Sequence, residues 1–185
     1  MKVKIYTDSL DYLSSNLLVM PFFPENLPLK GHLGFVDWRL NGFISGLFAQ
    51  NKVKKEEYEK ILVPPFGRIP SDRLLMFCLG PMAEIDARKI GLFTERLMET
   101  VHKIKLFSFA FAFPVEIETL NFAPDLVEAF FKGVDRFAVK TGPCEFLNNL
   151  RITFAIDKAK NPQTVETLSK YLSSRSIASQ ALVNA

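Results

Sequence analysis

Glycine is scarce in this chain of 185 residues. Its nine glycines never stand side by side. No stretch therefore offers the run of bare backbone N–H groups that lets an anion settle into a phosphate loop. Gly31-His-Leu-Gly34 and Gly142-Pro143 come nearest, and Pro143 has no N–H to donate. Cysteine is as sparse. Cys78 lies in an apolar run and Cys144 in a turn, with no CxxC spacing. That excludes a disulfide framework and points to a reducing compartment. No apolar run reaches 18 residues, and Met1-Lys-Val-Lys4 enters a strand pattern with no apolar leader. The expectation is a soluble, cytoplasmic chain that does not span a membrane. A dominant charge is missing too, since the net charge is +3. Lys52-Val-Lys-Lys55 is the one compact basic cluster, and Glu56, Glu57 and Glu59 cancel its field, so no nucleic-acid face is expected.

Phenylalanine is abundant: 18 Phe stand against one Trp and four Tyr, within 48% hydrophobic residues. This composition calls for one large aromatic core. Arg73-Leu-Leu-Met-Phe-Cys-Leu-Gly80 carries no charge after Arg73 and closes on Gly80-Pro81. It reads as a central strand buried on both faces. Lys2–Thr7 alternates and reads as an edge strand. Leu17–Phe23, Tyr58–Pro64, Leu106–Phe113 and Arg151–Asp157 supply four more strands. Helical spacing covers Gly34–Ala49 as one helix, which Gly42 and Gly46 weaken. Asp86 is placed to cap a helix with an apolar stripe from Ile90 to Ile104. Pro124 opens another helix, closed by Thr141-Gly142-Pro143, and Asn161-Pro162 opens the last. After a first hairpin, strands and helices alternate. The expected architecture is a single domain over 1–185: three-layer α/β/α, with a mixed, mostly parallel six-stranded sheet.

The order of these motifs resembles the macro-domain-like N-terminal domain of M17 leucyl aminopeptidases. The matching features are Leu17-Leu-Val-Met-Pro-Phe-Phe23, Asp37-Trp-Arg-Leu-Asn-Gly42 opening a helix, Ile61-Leu-Val63, and the turn into Arg73–Gly80. Glu128-Ala-Phe-Phe-Lys-Gly133 with Asp135-Arg-Phe137 is similar to the helix that ends that domain. The tail Ala181-Leu-Val-Asn184 looks like the start of the joining helix. In that family the peptidase site lies in a separate C-terminal domain with two metal ions. A two-metal site needs carboxylates converging on ions roughly 4 Å apart. The acidic residues here are scattered, and no segment matches that catalytic domain. The resemblance therefore implies a domain without peptidase activity, without a metal and without a cofactor. ADP-ribose-binding macro domains are the other relatives, and the glycine pattern argues against their phosphate loop.

Several residues were weighed as sites. Ligands in open α/β sheets sit beyond the carboxyl ends of the strands. That places a speculative small-molecule pocket near Pro21-Phe22, Gly80-Pro81-Met82, Phe113-Pro114 and Asp157. From these, Phe22, Gly80, Met82 and Phe113 are the candidates, although strand-ending turns are the simpler explanation of them. Asp37 and Arg39 flank Trp38 at what reads as a helix start, and Trp with Arg suits a contact surface. His32, in a Gly-flanked loop, and His102, near a helix C-terminus, lack the partners that catalysis needs. In Phe107–Phe113, Phe alternates with Ser or Ala, a pattern that suits a core strand with one thin side. The leading function expected is a non-catalytic binding or assembly module acting through protein contacts, including self-association. The alternative is a binder of ADP-ribose or a nucleotide-like ligand at the strand carboxyl ends.

Overall fold

In the computed structural model the described residues are 1–25, 27–114, 117, 124–142, 145–156, 162–174 and 179–181. All six expected strands form: β1 (Lys2–Tyr6), β2 (Leu18–Phe22), β3 (Lys60–Val63), β4 (Leu74–Cys78), β5 (Ser108–Ala112) and β6 (Arg151–Ala155). A short β7 (Ser179–Ala181) adds a seventh. The order across the sheet is β3-β4-β2-β5-β6-β1-β7. Only β3 runs antiparallel, against β4; every other neighbouring pair is parallel.

The helices are α1 (Gly31–Arg39), α2 (Phe43–Ala49), α3 (Ala87–Lys103), α4 (Pro124–Thr141), α5 (Glu145–Asn149) and α6 (Pro162–Ser174). Helices α3, α4 and α6 bury their stripes on one face of the sheet, against Val3, Ile5, Phe109, Phe111, Ile152 and Phe154. Helices α1 and α2 cover Leu18, Met20, Phe22, Leu74, Met76, Ala110 and Ala112 on the other. The alternation in β5 thus works as its sequence suggests. Its Phe side feeds the thick aromatic layer, and its Ala side lets the second layer approach.

Asp86 caps α3, accepting from the Lys89 N–H at 2.7 Å, and His102 stands in that helix's last turn, where a cation suits the helix dipole. Other expectations need correcting. The helix read over Gly34–Ala49 is two, because Asn41 and Gly42 take φ of +57° and +73° and turn the chain between α1 and α2. His32 belongs to the first turn of α1 rather than a loop. β1 and β2 form no hairpin; β1 pairs with β6 and β7, β2 with β4 and β5. β1 is consequently one strand in from the edge. The β4 strand is buried along its whole length, but it lies next to edge strand β3, and the middle position belongs to β5. Covering by β3 on one side and helices on both faces is enough to bury it. Ala181 sits in β7 rather than in a helix. Asp157, Cys144, Pro143, Asn161 and Asn184 lie outside the described residues.

Candidate functional site

Two places gather the residues singled out above. The first is at the carboxyl ends of the parallel strands, between β2 and β5. Here the topology switches. The connection from β2 passes over α1 and α2 to the β4 side, whereas that from β5 passes through α4 to β6. Such a point is where open α/β sheets leave a crevice. The sequence makes the gap. In β2, Leu18 N–H donates to Arg73 O beside β4 (2.9 Å), and Leu17 O accepts from Ala110 N–H of β5 (2.8 Å). Backbone groups alternate sides along a strand, so Val19 and Pro21 face β5. Pro21 has no N–H, and the β2–β5 ladder ends at Val19↔Phe111. The opening beyond is lined by Pro21, Phe22, Lys30, His32, Phe113 and Pro114, among others, and holds about 10 Å³. That is room for about one water.

Phe22 and Phe113 therefore do meet at this cleft. Gly80 and Met82 lie alongside, in the loop leaving β4. Leu79 N–H donates to Phe22 O at 2.9 Å, and Met82 N–H to Glu25 Oε1 at 3.2 Å. They do not line the cleft. Cys78, the last residue of β4, is fully buried, and burial pushes its thiol up. That holds it as the unreactive thiol. Among the described residues no group of three or more His, Cys, Asp or Glu stands together as a metal cluster would.

The second place is the outer surface of α1 and α2. Asp37 and Arg39 end α1 rather than starting a helix, and they do different work. Asp37 is 8% exposed. Its Oδ1 accepts from the N–H groups of Ile44 (2.8 Å) and Ser45 (3.0 Å), and its Oδ2 from the Ser45 hydroxyl. A carboxylate seven residues upstream thus caps α2, whose own N-cap residue, Gly42, has no side chain to do so. Asp37→Ala strands two N–H donors, the Ile44 one buried and the Ser45 one half-buried. Urea unfolding should show about 2 kcal/mol lost, the upper end of what a cap contributes. A loss under about 0.5 kcal/mol would show that water replaces the carboxylate freely.

Arg39 turns outward. Its Nε lies 3.1 Å from Asp11 Oδ1, and its guanidinium donates to Arg68 O at 3.3 Å while Arg68 donates back to Arg39 O at 3.3 Å. This clasp ties the end of α1 to the 64–70 loop. Exposed aromatic residues flank its members in the chain: Trp38 at 69% exposure next to Arg39, Tyr12 at 76% next to Asp11, and Phe66 at 55% two residues before Arg68. Phe66 meets Phe43 edge-on at 5.1 Å between ring centres. Trp38, Arg39, Asn41 and Arg68 enclose a shallow hollow of about 320 Å³. Sequence reasoning found Trp38 and Arg39 as neighbours but missed Tyr12, Phe43, Phe66 and Arg68, which come from three other segments. Phe43 alone carried a hint, because it follows the Asn-Gly break.

Comparison with known proteins places the chain. No family model matches it. It is 31% identical over 80 residues to a protein named "Probable cytosol aminopeptidase" from Sulfurihydrogenibium sp. (strain YO3AOP1), over 43% of this chain and 16% of that protein. It is 22% identical over 141 residues to another so named from Alkaliphilus oremlandii (strain OhILAs), over 76% of this chain and 28% of that protein. The chain thus spans well under a third of the length of these curated relatives. In three dimensions it is similar to an Oceanobacillus iheyensis macrodomain (TM-score 0.63, 15% identity, 93% of this chain and 92% of that one). It is also similar to a Trypanosoma brucei macrodomain solved with ADP-ribose (TM-score 0.63, 12% identity, 92% and 68%). A tomato leucine aminopeptidase variant gives a TM-score of 0.58 at 13% identity, over 91% of this chain and 35% of that one. The fold thus defines a macrodomain-like α/β/α domain. More particularly, the chain has partial sequence likeness to two probable cytosol aminopeptidases, and it is consistent with a macro-like N-terminal domain of that kind.

Proposed function

We propose that this macro-like domain is a non-catalytic assembly module, and that it acts through the aromatic and arginine surface of α1, α2 and the 64–70 loop. The observation that carries this reading is the hollow of Trp38, Arg39, Asn41 and Arg68, with exposed Phe66 in the loop that holds Arg68 and exposed Tyr12 next to the Asp11 that pairs with Arg39. Trp, Tyr and Arg are the side chains that dominate protein interfaces, and large exposed apolar patches mark interaction sites. The partner proposed is a second copy of the chain. Guanidinium groups and aromatic faces attract one another, so the patch is complementary to itself, as a two-fold contact requires. Arg39 already lies over the Trp38 ring at 6.0 Å within one copy.

Light scattering on a sizing column tests this. The protein is expected to run as a dimer at about 50 µM, and Trp38→Ser with Phe66→Ser to return it to a monomer with its thermal transition unchanged. A monomeric parent protein at that concentration would end the self-association reading.

A second reading is a nucleotide-like ligand, ADP-ribose above all, at the cleft between β2 and β5. It is favoured by the cleft's position at the switch point and by the ADP-ribose bound to a structural neighbour. Against it, the described lining holds only about 10 Å³, whereas small-ligand sites run from about 300 Å³. Calorimetric titration with ADP-ribose is expected to give no saturable heat up to about 1 mM. A dissociation constant below about 100 µM would reverse the order of the two readings.

A further inference from the structure

At the opposite end of the sheet, near the amino ends of the parallel strands, lies a cleft that neither reading uses. It is lined by Lys2 and Lys4 of β1, Arg151 and Thr153 of β6, Ser108 and Phe109 of β5, and Ser14 and Ser15 of the preceding loop. None of these residues is helical, and the cleft measures about 330 Å³. Alternate residues of a strand share a face, so Lys2 and Lys4 project on the same side as Arg151, Thr153 and Ser108. That is the side whose neighbouring half is covered by α1 and α2, where Ala110 and Ala155 are buried.

The register places like charges side by side. Lys2 stands directly opposite Arg151 across the β1–β6 pair, and Ser108 opposite Arg151 on the other flank. Neighbouring strands are about 4.8 Å apart, and like charges directly opposite destabilise a sheet. Every ion pair among the described residues involves other cations: Arg39, Lys89, Lys132, Lys140 and Lys170. Among the described residues no carboxylate lines the cleft. The linked acid is Asp72, one step removed: the Ser108 hydroxyl donates to Asn16 Oδ1 (2.5 Å), and Asn16 Nδ2 donates to Asp72 Oδ2 (3.1 Å). The hydroxyls of Ser14 and Thr153 form no hydrogen bond among the described residues. Three cations lining one cleft, with no counter-ion among the described residues and free hydroxyl donors beside them, are what a phosphate dianion recruits.

We infer that this cleft binds a small organic phosphate monoester. Arg151 and Lys4 hold the phosphate oxygens, Thr153 and Ser14 donate to them, and the remaining volume takes the organic part. The cleft is of small-molecule size, and three cations are too few for a duplex nucleic acid, which is held by many phosphate contacts. The occupant is thus a phosphorylated metabolite, bound at the end of the sheet away from the switch-point cleft.

The test uses ribose 5-phosphate as probe, with ionic strength held constant by sodium chloride and ribose as the uncharged control. The melting temperature of the full chain is expected to rise by about 2–4 °C at 20 mM probe, by ligand linkage, and not with ribose. The pair Lys4→Gln and Arg151→Gln should abolish that rise. Lys54→Gln with Lys55→Gln, in the other basic cluster, should leave it intact. A rise matched by chloride alone, or retained in the Lys4/Arg151 variant, overturns the inference. A second readout needs no ligand. Arg151→Gln alone should raise the melting temperature of the free protein, because it removes a like-charge pair. A fall would show that Arg151 is held by an unrecognised partner, and the site would lose its basis.

Discussion

Phe154→Ala is expected to cost about 3–5 kcal/mol, the range for truncating a buried aromatic. Phe154 is 0% exposed. It sits in β6, with ring centres of Phe130 at 5.1 Å, Phe113 at 5.6 Å, Phe111 at 5.9 Å and Phe131 at 6.2 Å. These neighbours come from β5, the segment just after it, and α4, so one ring joins the sheet to the helix above it. Most of the contacts are edge-on, the geometry that adds to simple burial. The four rings around it, of fixed shape, cannot collapse into the space it leaves, so the cavity remains and its cost is not recovered by relaxation. Urea unfolding followed by circular dichroism measures the loss as a lower midpoint at unchanged slope. Phe154→Leu, which fills much of the volume, should cost under about 1.5 kcal/mol. If the alanine variant lost no more than the leucine one, this aromatic cluster would not be what holds β6 to α4.

Gly133→Ala should destabilise by at least about 3 kcal/mol, even though alanine favours a helix by about 1 kcal/mol over glycine. Gly133 lies on α4 against Gly91 of α3. An added methyl would run into Gly91 O, stand 2.6 Å from Thr94 Cβ and 3.2 Å from Glu95 N. Most of these atoms belong to helix backbone and cannot swing aside as a side-chain tip would. The two helices would have to move apart, and that would open the contacts of Phe93, Leu97, Phe130 and Phe137 in the same layer. Overpacking of this kind reaches the upper end of its usual range when the neighbours are rigid. The same measurement reads it, and a variant at least as stable as the parent would show that α3 and α4 are free to separate. Gly91→Ala is the milder companion, because its nearest neighbour is the Arg136 guanidinium at 3.3 Å, the end of a side chain that can shift.

Such losses also bear on function. The contact surface proposed on α1 and α2 and the cationic cleft on β1 and β6 both lie on the sheet face away from α3 and α4. A variant in the aromatic layer should lower stability while leaving dimer formation and ribose 5-phosphate binding unchanged below its melting range. Loss of either at a temperature where circular dichroism shows the chain folded would mean that the two faces are coupled through the sheet.

What the sequence alone determined is local. Local patterning located all six main strands: the uncharged runs of β2 and β4 reflect burial on both faces, which leaves no room for charge, whereas β1 shows as an alternation. The 3.6-residue spacing located α3 and α4, and Asp86, Pro124 and Pro162 marked helix starts, because caps and fixed φ act within one turn. The order of those elements was enough for the fold and the aminopeptidase likeness. The tertiary structure decided everything that joins distant segments. It set Lys2 beside Arg151, Phe43 against Phe66, Gly133 on Gly91, and Asp37 on the first turn of the next helix. It also put β1 between β6 and β7, and β4 off-centre. Each of these is a pairing between segments, and a periodic pattern says which face of an element is buried without saying against what. The cleft between β2 and β5 falls between the two. Pro21 was visible in the sequence as a residue without an N–H, but only the sheet order shows that the missing donor faces β5.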